Sequence, residues 1–325
     1  MRKGFKDRNV WVAVLASVLL VLLLAVPGVY GAGGIDTERA CGVTFGLDGQ
    51  YSELEALTIP VSLYRVASVG IDGRYTPLEG FTGLDLSSVD SETTAEEWAQ
   101  MAEQASQIIE TGGAETAASG EIRQGTAQVG GLETGMYLVE AGSVETARYT
   151  YDFIPYLLAL PGNYYAATGS DDWVYDVESA LKPEQQTRYG SLAIEKVLED
   201  YNATLGGATC VFTVEALLDG EVVYSDAVSL VFDEASRKTV TADGIPAGAQ
   251  VTVREVYAGA GYQVVGDDVQ TAEIIADDTV PVNFGNTYSG SPNTGSSIVN
   301  HYTYRGDGIW NDPVQMTDST QSGQE

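Results

Sequence analysis

Lysine is scarce in this chain of 325 residues. There are five, and only Lys182, Lys196 and Lys238 lie beyond the first thirty positions. Histidine is scarcer still: the single one is His301, in the C-terminal tail. A histidine general base and a metal site built on imidazole are therefore unsupported, and neither cofactor nor metal is expected. Acidic clusters such as DDWVYD show no EF-hand spacing, and no phosphate-cradling glycine loop occurs. Basic charge is short throughout, with 16 Lys+Arg against 46 Asp+Glu and a net charge of −30. So acidic a surface repels phosphate backbones and anionic lipid, which excludes nucleic acid as a partner and suits an extracellular protein. The two cysteines, Cys41 and Cys210, are too few for a disulfide framework. Both sit on apolar alternating segments and read as two separate buried thiols.

One long uncharged run is present, at the start. The basic opening MRKGFKDRN is followed by a densely apolar stretch from Val10 to Val26, then Pro27-Gly28 and small residues. This layout predicts a signal peptide over 1–31, cut near Gly31 or Ala32, with an uncleaved membrane anchor as the alternative.

The remainder is predicted to be mainly β. An amino-terminal β-rich domain with one helix is expected over 35–187. CGVTF puts Cys41, Val43 and Phe45 on one face, and IPVSLYRVASV is a second strand ended by Asp72-Gly73. The helix opens with a capping box, Thr94 and Glu97. Trp98, Met101, Ala105, Ile108 and Ile109 form its apolar stripe. GLETGMYLVEAG, YTYDFIPYLLALPG and WVYDVESALKPE each read as a short strand, with Tyr149, Tyr151 and Phe153 sharing a face. LKPEQQTRYG reads as a linker. Over 188–290 the pattern is nearly pure β, with Asp219-Gly220 marking a hairpin and Asp243-Gly244 and Pro246-Ala247-Gly248 punctuating later strands. That spacing predicts an immunoglobulin-like β-sandwich. Residues 291–325 read as a polar linker and tail.

Three segments of the second domain resemble a known family. Gly190-Ser191-Leu192-Ala193-Ile194-Glu195-Lys196, VTVREV with Glu255, and VNFGNTY with Asn286 are similar to collagen-adhesin B-type (CnaB-like) domains. Those domains build pilins and surface adhesins of Gram-positive bacteria. Upstream, GLETGMYLVE and YDFIPYLLALPG resemble the amino-terminal domain of SpaA-type pilins. The likeness covers about 135 to 290, with weaker support back to Cys41.

The chemistry follows from the residues as well. Alternate residues of a strand share a face, so Leu192, Ile194 and Lys196 point together, as do Val251, Val253 and Glu255, and Val282, Phe284 and Asn286. Each polar group extends an apolar row. A lysine in a core tends to lose its proton and a buried glutamate to gain one. A neutral Lys196 amine attacking the Asn286 carboxamide, with Glu255 moving the proton, expels ammonia and leaves an isopeptide bond. Closing a loop of about ninety residues stabilises by up to ~4–5 kcal/mol on the chain-entropy model. The competing reading makes Lys196 an edge residue, Glu255 a solvated charge and Asn286 a turn former.

Two further features belong to the resemblance. Trp173, Val177 and Lys182 have the spacing of the pilin motif whose lysine accepts the sortase-delivered end of the next subunit. Here Ala180-Leu181 replaces the Tyr-Pro of that motif. Ser291, Pro292, Asn293, Thr294 and Gly295 resemble a sortase sorting pentapeptide, yet only a polar tail follows them, so a plain linker competes. Arg305-Gly306-Asp307 reads as a turn. The expectation is a secreted or cell-surface structural or adhesive protein of pilin type, with other pilin subunits or sortase as partners. It carries no enzymatic turnover beyond the isopeptide step. A soluble secreted binding module not assembled by sortase is the alternative, and a carbohydrate-active enzyme a distant one.

Overall fold

A computed structural model describes residues 33–290, apart from 48, 88, 90, 91, 113, 165–169 and 171. The expected signal peptide, the sorting-like segment at 291–295 and the turn expected at 305–307 all fall outside the described residues. The chain divides into two units that meet between Arg188 and Tyr189.

The first unit contains β1 (Cys41–Gly46), β2 (Ile59–Val69), β3 (Tyr75–Pro77), α1 (Ala95–Gly112), β4 (Ala118–Ile122), β5 (Thr126–Leu132), β6 (Gly135–Ala141), β7 (Val144–Glu145), β8 (Tyr149–Phe153), β9 (Tyr156–Leu160), β10 (Gly162–Asn163), β11 (Trp173–Val174), β12 (Asp176–Ala180) and β13 (Pro183–Thr187). Its largest sheet runs β3-β2-β6-β9, with β4 also paired to β2. β12-β1-β5 and β13-β8-β7 form two three-stranded sheets. The continuous apolar run of β6 has a structural reason. Met136 and Leu138 pack with Trp98, Ala102 and Ala105 of α1, whereas Tyr137 and Val139 pack with Phe45, Leu63 and Leu160 on the other side. A strand covered on both faces reads as a run rather than an alternation. The helix starts where its capping box dictates: the Thr94 N–H donates to Glu97 Oε2 at 2.7 Å, and the Glu97 N–H donates to Thr94 Oγ1 at 3.3 Å.

Several segment boundaries differ from the sequence expectation. The segment read as a linker holds β13, which pairs antiparallel with β8 from Pro183↔Phe153 to Thr187↔Tyr149. Its polar composition fits an edge strand whose residues past Pro183 are all exposed. Backbone pairing, and Gln185 and Gln186 donating to Tyr151 Oη and Asp152 Oδ2, hold it without apolar burial. GLETGMYLVEAG covers the end of β5 and all of β6, with Glu133-Thr134 between them. YTYDFIPYLLALPG likewise divides among β8, β9 and β10, because Ile154-Pro155 breaks the ladder.

The second unit contains β14 (Tyr189–Leu198), β15 (Ala208–Leu218), β16 (Glu221–Phe232), β17 (Arg237–Pro246), β18 (Gln250–Tyr257), β19 (Tyr262–Val265), β20 (Val269–Glu273) and β21 (Thr279–Tyr288). They form two four-stranded sheets, β17-β14-β21-β19 and β16-β15-β18-β20. The inner rows of both sheets meet in one core that includes Leu192, Ile194, Phe212, Val253, Val282 and Phe284. The fold is thus mainly β, with a sandwich as its second unit. Asp219 and Gly220 both have positive φ, 53° and 87°, the geometry of a two-residue hairpin turn between β15 and β16. Asp243-Gly244 does not end a strand, as expected, but forms a bulge inside β17, opposite the Gly190/Leu192 register shift. The segment TAEIIA is strand only as far as Glu273; Ile274 is buried beyond its end and Ile275 is exposed.

Candidate functional site

The first and last strands of the sandwich are direct neighbours. β14 and β21 run parallel, with Lys196 paired to Phe284 and Leu198 to Asn286. Lys196 and Asn286 are therefore diagonal neighbours on the inward face of one sheet. Gly190 permits the entry of β14, because a Cβ there would lie 2.1 Å from the Ile275 carbonyl oxygen. Glu255 comes from the facing sheet. On β18 it pairs with Phe212 of β15, and the register shifts immediately beyond, where Val211 meets Tyr257. Val256 is the extra residue and is turned outward, so Glu255 is the last inward residue of its row.

The three side chains meet in the core. Lys196 and Asn286 have no exposed surface, and Glu255 is 6% exposed. Lys196 Nζ lies 2.6 Å from Glu255 Oε2. Asn286 Nδ2 donates to Glu255 Oε1, also at 2.6 Å, and reaches Ala258 O at 3.0 Å. One carboxylate thus bridges amine and carboxamide. Phe212 and Phe284 wall the pocket, with ring centroids 5.7 and 5.8 Å from Lys196 Nζ. These rings exclude water and supply little to replace it. Burial accordingly pulls the Lys196 amine below the ordinary lysine range, although Glu255 works in the other direction. Asn286 Oδ1 is buried with no hydrogen-bond partner, an arrangement that costs on the order of 1–3 kcal/mol.

A fourth pocket member was not singled out from the sequence. Cys210 Sγ sits 3.5 Å from Asn286 Nδ2 and 3.8 Å from Ala258 O. Burial, then the Glu255 charge, pushes this thiol up to about 11, so it stays protonated at neutral pH. The inward row Cys210, Phe212, Val214 was legible as a core face. That the row faces Asn286, 76 residues away, was not.

Lys182 sits apart from this cluster, in the first unit. It is exposed and lies between β12 and β13, with its carbonyl accepting from the Ile154 N–H at 3.0 Å. Partial desolvation lowers its amine below the usual lysine range. Leu181 before it is buried, 2% exposed. Cys41 and Cys210 are both free and buried, in separate cores. Among the described residues no cluster of His, Cys, Asp or Glu could hold a metal ion. None of the described helices is long and apolar enough to cross a membrane.

A family model described as a domain of unknown function (DUF5979) matches residues 192–289, which are nearly all of the described residues of the second unit. No curated protein matches the chain. Solved structures similar to it include pilins. The minor pilin GBS52 of Streptococcus agalactiae is 15% identical with a TM-score of 0.25, over 79% of this chain and 100% of that one. The full-length major pilin SpaD of Corynebacterium diphtheriae is 12% identical with a TM-score of 0.26, over 78% and 99%. The major pilin SpaA of the same organism, described as pointing to a modular pilus assembly stabilizing isopeptide bonds, is 12% identical with a TM-score of 0.25, over 76% and 99%. Identity and TM-score are low in all three, so a functional reading has to stand on the chain's own residues.

Proposed function

We propose that this chain is a secreted or cell-surface structural and adhesive protein of pilin type, whose second unit closes itself with an isopeptide bond between Lys196 and Asn286. The observation that supports this is the fully buried Lys196 amine, joined through one carboxylate, Glu255, to the carboxamide of Asn286.

Glu255 first takes a proton from the Lys196 ammonium, which leaves a neutral amine and a carboxylic acid. The amine lone pair attacks Asn286 Cγ, and Oδ1 takes the electron pair of the carbonyl. Glu255 then gives its proton to Nδ2 as the C–N bond breaks, and accepts one from the attacking nitrogen. Ammonia leaves, an amide joins the two side chains, and Glu255 remains as the acid. The strand pair β14–β21 already holds the reactants together, which supplies the proximity this slow reaction needs. The product ties the two ends of the unit. Tension entering at β14 passes through Lys196 and Asn286 and leaves at Tyr288, so the chain between the two bonded residues is spared.

The test is the intact mass of the purified protein. The expected result is one ammonia below the sequence mass, with the deficit abolished by Lys196→Ala and by Asn286→Ala. A full sequence mass in the folded protein overturns the isopeptide reading.

Sortase assembly is the finer part of the proposal, with Lys182 as acceptor and Ser291, Pro292, Asn293, Thr294 and Gly295 as the sorting segment. The exposed, partly desolvated Lys182 amine supports it. The buried Leu181 in place of a proline favours the other reading, a soluble binding module outside sortase assembly. Incubation with the host's sortases separates them. High-mass ladders lost on Lys182→Ala support assembly, and the absence of ladders supports the soluble module.

A further inference from the structure

Two hydrogens leave the pocket with ammonia, and the acceptors that held them stay behind. Before the bond forms, Asn286 Nδ2 carries two hydrogens and faces three acceptors: Glu255 Oε1 at 2.6 Å, Ala258 O at 3.0 Å and Cys210 Sγ at 3.5 Å. The oxygen of the same amide has no partner. Turning the carboxamide over would set Oδ1 against a carboxylate oxygen and a carbonyl oxygen, so the acceptors around Nδ2 decide which end of the amide faces Glu255. That choice matters because Nδ2 is the leaving group and Glu255 the acid that protonates it. After the reaction the amide nitrogen, formerly Lys196 Nζ, has one hydrogen for the same acceptors. The Cys210 S–H already donates to Ala258 O at 3.8 Å and stays as a donor to that carbonyl.

We propose that Cys210 is a positioning residue for the isopeptide reaction: its sulfur helps hold the Asn286 nitrogen toward Glu255, and its S–H, already donating to the Ala258 carbonyl, remains that carbonyl's donor when ammonia leaves. The proposal rests on the isopeptide reading above. It assigns no covalent role to the thiol, which remains protonated and bonds to neither reactant. Cys210 is fully buried, on the same inward row as Phe212, and has no contact with solvent.

The experiment follows ammonia loss by intact mass during cell-free synthesis of the full chain. It compares the natural chain with Cys210→Ser, Cys210→Ala and Cys210→Val. Serine keeps a donor and an acceptor, whereas valine fills the space with neither. The expected result is that Ala and Val slow the mass loss by roughly tenfold, the size of one lost hydrogen bond, while Ser restores it to near the natural rate. Folding is read separately by denaturant midpoints of the same Cys210 variants in a Lys196→Ala background, where no bond can form. A Val variant that reacts as fast as the natural chain overturns the proposal and leaves the isopeptide reading intact. So does a slowing of reaction that tracks the loss of stability in the Lys196→Ala background. A natural chain with no mass deficit overturns the isopeptide reading itself, and this proposal with it.

Discussion

Each unit joins a carboxylate and a carboxamide to a third polar group in its core. In the first unit the Tyr151 hydroxyl donates to Glu53 Oε1 and accepts from Gln185 Nε2 at 2.6 Å. In the second, Glu255 bridges Lys196 and Asn286. The chemistry differs for two reasons. The first cluster opens to water through Glu53 and Gln185, both exposed, while the second is closed on every side. Burial also acts in opposite senses on the Tyr151 phenol and the Lys196 amine. It raises the Tyr151 phenol, making it harder to ionise, and lowers the Lys196 amine, making a nucleophile easier to expose. Similar polar partners therefore meet in a water-accessible hydrogen-bonded network in one unit and in a sealed cluster in the other, the one for which the isopeptide reaction is proposed. What separates them is the third polar group, a phenol or an amine, and the cluster's access to solvent.

Lys196→Ala breaks the comparison most severely. It removes the proposed bond and leaves Glu255 in the core without the Lys196 nitrogen beside it. The expected loss from the cross-link alone is ~4–5 kcal/mol, and the stranded carboxylate adds to it. Denaturant unfolding of the purified variant measures this, and a loss below about 1 kcal/mol contradicts the proposed bond.

Phe212→Ala tests whether the closed wall is what makes the cluster reactive. Removing this ring from the core is expected to destabilise by about 3–5 kcal/mol. It also admits water beside Lys196, so the variant should accumulate protein that retains its ammonia. Complete mass loss in that variant would mean that enclosure is not required.

Asn286→Ala keeps the amine and the carboxylate but removes the electrophile, and so exposes the proton linkage. The folded amine lies below its ordinary 10.5. Between that lowered value and 10.5 the unfolded chain binds more protons than the folded one. Stability therefore rises with pH through that window, as the penalty for burying a charged amine fades. Denaturant midpoints from neutral pH upward should climb in Asn286→Ala and stay flatter in Asn286→Ala/Lys196→Met. Equal slopes would remove the desolvated amine from the account.

Tyr151→Phe should have the smallest effect, about 1 kcal/mol, because water can satisfy the exposed Glu53 and Gln185 that it leaves. A loss as large as that of Lys196→Ala would erase the distinction between the two clusters.

Much of the second unit was legible in the chain. The rows ending in Lys196, Glu255 and Asn286 each interrupt an apolar alternation with one polar residue on the core face, and a period of two is a local property. Asp219-Gly220 was legible for the same reason, since its positive φ is a demand on single residues. Other features were hidden. β13 has the composition of a linker because an edge strand can be held by backbone pairing alone. Asp243-Gly244 carries turn residues yet forms a bulge, and the difference lies in the register of β14 opposite. Cys210 belongs to the pocket through a contact with a strand 76 residues away, which no local pattern encodes.

Strand periodicity, scarcity of lysine and strong acidity were properties of the one-dimensional chain. They pointed to a lysine, a glutamate and an asparagine on the core face of a β-sandwich, and left an edge lysine, a solvated glutamate and a turn asparagine as the competing reading. Packing added the parallel pairing of β14 with β21, the arrival of Glu255 from the opposite sheet and the thiol at the amide nitrogen. Strand phase depends only on neighbours in sequence. Whether an amine is stripped of water and set beside a carboxamide depends on residues tens of positions away, and only the assembled core brings them together.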